Sequence, residues 1–169
     1  MTILDEIQSE VWHILTNIYT YQRIMEDIPK SSTRYDLANK LVALNALLEL
    51  LIIRIARLAD KRKDTRTISM LLKRGNFSDK VTSLGNQFLT LAEPVLKIRH
   101  EQIAHMKPGV LSSYEPKDIP IEVIKATEVL VNFIDITRTK KISYTYKVGS
   151  MEPIIDLRAS LTSGKRMNA

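Results

Sequence analysis

The sequence predicts an all-α bundle of four to five helices ending in a C-terminal extended arm or short strand. Three observations point there. Apolar residues recur at alternating spacings of three and four over most of residues 1–142, the period of an amphipathic helix. The pattern breaks at helix-ending chemistry: Pro29, Gly75-Asn76 and Pro108-Gly109. Strand-like alternation of β-forming residues appears in Ser143-Tyr144-Thr145-Tyr146-Lys147-Val148.

Ile3, Ile7, Val11, Ile14, Ile18, Tyr21 and Met25 make one face of a first helix that ends before Pro29. His13 falls on the opposite side with Glu6, Glu10 and Asn17, the place of a solvated surface histidine. A second helix runs from about Tyr35 to Arg62 on the stripe Leu37, Leu41, Leu44, Leu48, Leu51, Ile55 and Leu58. Val42, Ala46, Ile52, Ile53, Ala56 and Ala59 widen that stripe until the helix is apolar nearly all round, which predicts a central position in the bundle. Glu49 among these leucines predicts a paired or edge-exposed carboxylate. A basic connector, Lys61-Arg62-Lys63-Asp64-Thr65-Arg66, leads to a short helix through Ile68–Leu72 that ends at Gly75-Asn76. A long helix runs from Ser78 to Met106, with Pro94 expected to kink or divide it. The last helix spans about Pro120 to Thr139, with Val123, Thr127, Leu130, Val131 and Ile134 inward. The strand-like segment is expected to pack as an arm or to pair across a dimer, and Ser160 to Ala169 reads as a flexible tail. This divides the chain into a helical bundle, 1–142, and a partly flexible C-terminal extension, 143–169.

Composition narrows the function. The 169 residues contain no cysteine, which excludes disulfides, thiolate zinc sites and cysteine nucleophiles. The acidic N-terminus, Met1-Thr2-Ile3-Leu4-Asp5-Glu6, lacks the basic start of a secretory signal, and Asn45, Glu49, Arg54 and Arg57 interrupt the longest apolar stretch. A cytoplasmic protein with no membrane partner is expected. The net charge of +6 is uneven: residues 1–60 carry six basic and eight acidic side chains, whereas residues 61–109 carry ten and four. A local basic field attracts polyanions such as RNA. There is no glycine-rich phosphate loop and no metal-ligand motif, so no cofactor is expected.

The basic segment ends in Lys97-Ile98-Arg99-His100-Glu101-Gln102-Ile103-Ala104-His105, which holds two of the three histidines. Arg99 interrupts the stripe Ala92, Leu96, Ile103 and Met106; His105 continues the stripe Val81, Leu84, Phe88, Leu91, Val95 and Ile98; His100 lies on a more solvated line. A polar residue on a packing stripe must find a partner or line a hydrated cleft. The structural alternative is an ion pair for Arg99, with Glu49 or another chain, and a helix C-terminal cation for His105. The functional alternative is chemistry on a phosphodiester, which suits a permanent cation beside a group that exchanges protons near neutral pH. On an α-helix the two Cα atoms stand about 9 Å apart along the axis and about 120° apart around it. A twofold homodimer sharing one cleft brings such side chains together more easily than one chain does.

Arg99-His100-Glu101-Gln102-Ile103-Ala104-His105 resembles the Arg–polar–x(3–5)–His signature of the HEPN superfamily. Ile55-Ala56-Arg57-Leu58-Ala59-Asp60-Lys61 and Ile68-Ser69-Met70-Leu71-Leu72 look like its abortive-infection AbiU-type branch, and the helix order is similar over about residues 5–140. The resemblance implies a HEPN-like bundle acting as a dimeric, metal-independent endoribonuclease in toxin–antitoxin or phage-defence systems. It implies Arg99 and His105 as the catalytic pair and His100 as the supporting polar position. RNA is the implied substrate and an antitoxin protein an implied partner. HEPN toxins regulated by nucleotidyltransferase antitoxins often carry a tyrosine two residues after the histidine. Lys107 stands there, so that regulation is not expected. Lys61, Arg62, Lys63, Arg66, Lys97 and Lys107 are the candidate contacts to the RNA backbone. The alternative is a non-catalytic helical module that binds RNA, a nucleotide or an acidic protein.

Overall fold

A computed structural model describes residues 2–62, 66–104, 117–147 and 154–163. The first helix, α1 (Ile3–Asp27), opens on a capping box: the Thr2 hydroxyl accepts the Asp5 N–H at 3.2 Å and the Asp5 carboxylate accepts the Thr2 N–H at 2.7 Å. Its predicted stripe is buried at Ile7, Val11, Ile14, Ile18 and Tyr21. A 3₁₀ turn, Ile28–Lys30, places Pro29 where no helical N–H is needed and ends the run. Thr33 caps α2 (Arg34–Leu58) by accepting the Asp36 N–H at 3.0 Å.

Only part of α2 holds the central position expected of it. Leu44, Leu51, Ile52, Ile55, Ala56 and Leu58 are buried, whereas Tyr35 is 85% and Val42 60% exposed. The helix is apolar nearly all round, but burial is concentrated in its C-terminal half. Glu49 is exposed, as an edge carboxylate should be.

Thr67 caps α3 (Ile68–Arg74), which stops at Gly75. It lies against α4 (Asp79–Ile98) at Gly85, where a Cβ would come within 2.7 Å of the Leu72 side chain. A larger residue at Gly85 would therefore force the Leu72 side chain to shift. Pro94 does not divide α4: the helix runs through it, with Pro94 on the exposed side and Val95 buried behind it. Phe88, Ala92 and Val95 face α5 (Ile121–Thr137), the most extensive helix packing in the fold. All five residues predicted to face inward on α5 are buried.

The predicted strand is β1 (Thr145–Lys147), and it pairs within the chain, antiparallel to β2 (Ile154–Asp156), with Tyr146 opposite Ile155. A short α6 (Ala159–Ser163) follows. Ser160 and Leu161 are buried, contrary to the flexible tail expected from Ser160 on; residues 164–169 lie outside the described part. The Trp12 indole N–H donates to the Thr145 carbonyl at 2.8 Å, and the Gln22 amide donates to the Ser160 carbonyl at 2.9 Å. Tyr144, Leu157 and Leu161 join the same core as α1, α4 and α5. The protein is all-α apart from this small hairpin, and no helix among the described residues is long and apolar enough to cross a membrane.

Candidate functional site

The Arg–His run departs from α-helical geometry where it begins. From Arg99 to Ala104 the chain forms a π-helical turn that continues α4. Such turns are rare, widen the hydrogen-bonded ring to i→i+5, and occur frequently at functional sites. Pro94 has no N–H to give the Thr90 carbonyl, so the last stretch of α4 is already one bond short before the turn opens. Arg99 is half-buried, as its place on an apolar stripe requires, while Lys97, His100 and Gln102 are exposed and Ile103 packs against the core. His105 and Lys107 lie outside the described residues, as does Lys63. The chain that follows Arg99 is thus π-helical rather than α-helical as far as Ala104.

The turn packs against α2, whose C-terminus carries Asp60. Asp60 accepts the Arg62 backbone N–H at 3.0 Å and the Arg62 guanidinium at 2.8 Å and 2.7 Å. Its carboxyl is held below the usual range first by the Arg62 hydrogen bond and also by the positive field of Arg99. Arg62 thus binds this carboxylate directly, while Arg99 acts on it only through its charge. Glu49, the partner weighed for Arg99, stands exposed on the outer face of α2.

Asp60 is the residue that sequence reasoning missed. The signal was a carboxylate just past a helix C-terminus, where it opposes the macrodipole and calls for nearby cations.

The basic connector divides. Lys61 and Arg62 are exposed at the Asp60 corner, while Arg66 turns to α1 and pairs with Glu6 at 2.8 Å. Arg66 also lines a cleft of about 250 Å³ with Glu6, Glu10, His13 and Arg57. His13 is exposed there, edge-on to Trp12 with ring centroids 5.1 Å apart, in keeping with a solvated histidine. Glu10 is occupied by Arg54 at 2.6 Å. A larger cleft of about 510 Å³ lies between α1, the start of α2 and the hairpin, walled by Tyr19, Ile24, Tyr146 and Ile155. Lys40 at its edge is held by Asp27 at 2.8 Å and Asp36 at 2.9 Å.

The Asp60 corner thus brings together Lys61, Arg62 and Arg99, with His100 next in the chain, and leaves Arg66 on another face. Half-buried Arg99 can present planar donors to a phosphate while Arg62 and Lys61 track a polyanion at the surface. Comparison with protein-family models, curated proteins and solved structures finds no match.

Proposed function

We propose that the end of α4 is the catalytic centre of a metal-independent endoribonuclease of the HEPN type, serving as a toxin or phage-defence component. The observation that carries this reading is Arg99 at the first residue of a π turn, half-buried and near the Asp60 carboxylate that Arg62 binds. The resemblance of Arg99–His105 to the HEPN signature supplies the reaction. His105 takes the proton of the RNA 2′-hydroxyl, and the 2′-oxygen attacks the adjacent phosphorus. The phosphorus–5′-oxygen bond breaks, and a histidine, His105 or His100, protonates the leaving oxygen. The products are a 2′,3′-cyclic phosphate and a 5′-hydroxyl. Arg99 binds the phosphate and stabilises the charge that develops on it. Lys61, Arg62 and Lys97, all exposed, hold the flanking backbone together with Lys63 and Lys107. Arg66 contributes less, because Glu6 occupies it on the α1 side.

A cleavage assay on total RNA in excess chelator tests the reading, with end-group analysis of the products. Wild type should leave cyclic-phosphate ends, and Arg99→Ala and His105→Ala should abolish cleavage and growth arrest while unfolding as wild type does. Cleavage that survives in both variants rejects the assignment. RNA binding without cleavage in wild type favours the non-catalytic module.

A further inference from the structure

On α1, Glu6, Glu10 and His13 follow at spacings of four and three, so they share one side of the helix. In the fold that side does not stand clear of the bundle. It forms one wall of a cleft of about 250 Å³, closed by Arg57 and Leu58 at the end of α2 and by Arg66 just before α3.

Both acids of the cleft are already engaged. Glu6 pairs with the Arg66 Nε at 2.8 Å and Glu10 with Arg54 at 2.6 Å, and the two carboxylates are only 17% and 24% exposed. Arg57 lines the same cleft, and its side chain has no ion pair or hydrogen bond to any described residue. Three cations, Arg54, Arg57 and Arg66, therefore meet two carboxylates, which leaves one positive charge over. Arg54 adds to the imbalance, because its buried Nε finds no hydrogen-bond partner among the described residues. A buried donor left that way in a native fold calls for an ordered water or an ion. Arg57 also offsets the macrodipole from the last turn of α2. That role needs one cation, and it does not account for Arg66 and His13 lining the same space.

We propose that this cleft binds a phosphate group, held between Arg57 and Arg66 with His13 and Ser9 as further donors. A single arginine fork satisfies both oxygens of a carboxylate, whereas two arginines, an imidazole and a hydroxyl suit an anion with more acceptors. A metal cation fits poorly: each carboxylate has an arginine on it, and no group of three or more ligands able to hold a metal occurs among the described residues. The volume falls below the roughly 300–1,000 Å³ of sites for drug-sized ligands, so it suits one anionic group with a small substituent. A net charge of +6 raises the local concentration of such anions. The phosphate can end a small molecule or link an RNA backbone, since both bring non-bridging oxygens to the arginines. Arg99 lines no part of this cleft, and the inference does not rest on the reaction proposed there.

With three histidines in the chain, the imidazole signals of His13 are assigned in a proton–nitrogen spectrum by comparison with His13→Gln. Inorganic phosphate, titrated at constant ionic strength, should shift them and saturate at about 1–10 mM. Arg57→Gln should raise the midpoint at least tenfold with unchanged far-UV circular dichroism. Arg57→Lys should lie between the two, and Arg99→Ala should bind phosphate here as wild type does. Two further probes separate the sources, each added to the His105→Ala protein: glycerol 3-phosphate, and a short RNA with hydroxyl ends. Shifts from glycerol 3-phosphate where the RNA gives none identify a terminal phosphate, and the reverse identifies the RNA backbone; either supports the site. His13 signals that none of the three probes moves overturn the proposal, as does an unchanged midpoint in Arg57→Gln.

Discussion

Arg158 reaches back across the hairpin to grip Asp135 on α5, with guanidinium–carboxylate distances of 2.6 Å and 3.0 Å. The same carboxylate accepts the Ile142 N–H at 2.8 Å, and Arg158 also donates to the Ile142 carbonyl at 2.8 Å. Both side chains are less than one-fifth exposed. Removing the cation leaves a shielded carboxylate and a carbonyl without their strongest partner. Arg158→Met, which keeps the apolar stem, should destabilise the fold by about 2–3 kcal/mol. Urea unfolding of the two proteins reads this directly, and a loss below about 0.5 kcal/mol would mean that the pair is no stronger than a surface contact.

That pairing marks where the sequence was readable and where it was not. The order of the helices and the inward face of α5 follow from a period of 3.6, because each helix is long enough to repeat its apolar face several times. Three-residue strands and a five-residue helix repeat nothing, so β2 and α6 carry no pattern, although Leu157 and Leu161 are buried. Arg158 and Asp135 are 23 residues apart, and only the folded chain brings them together. At the site, the register of Arg99 foretold its partial burial. The π turn and the nearness of Arg99 to Asp60 depend on how α4 meets α2, which no local pattern encodes. The exposed half of α2 failed for the opposite reason: its composition promised burial that the fold does not supply.

Acid should loosen the junction of α1 with α5 through one carboxylate. Asp5 is depressed to about 2, first by the Thr2 backbone N–H and then by Arg138 and the Thr2 hydroxyl. A depressed carboxylate stabilises the fold above its unfolded value, near 3.8, and loses that contribution as pH falls through the folded one. The melting temperatures of wild type and Asp5→Asn should therefore differ by a constant amount above about pH 5. The gap should narrow between about pH 4 and 2. A gap independent of pH over that window would show that charge at Asp5 plays no part.

Pro94 is a standing cost inside α4. A proline in a helix interior is about 3 kcal/mol less favourable than alanine, chiefly through a lost N–H and a clash one turn back. Pro94 is exposed, so no packing compensates. Pro94→Ala should raise stability by about 1–3 kcal/mol in urea unfolding. It should also tighten the stretch from which the π turn opens five residues later. If that turn orients Arg99 for catalysis, cleavage by the stabilised variant should fall, and equal or greater activity would separate the proline from the site.

Mixing two inactive variants decides whether the proposed catalytic centre needs both chains. A shared cleft is attractive because Arg99 and His105, six residues apart, project to different sides of an α-helix. The turn that begins at Arg99 is π-helical as far as Ala104, and a wider turn does not by itself align residues six apart. A twofold pairing at the end of α4 lets Arg99 of one protomer meet His105 of its partner. An equimolar mixture of Arg99→Ala and His105→Ala, equilibrated long enough to exchange partners, should therefore recover about one quarter of wild-type activity on RNA, since half of the dimers are mixed and each mixed dimer keeps one intact centre of two. A mixture that stays inactive would show that each centre draws both groups from one chain.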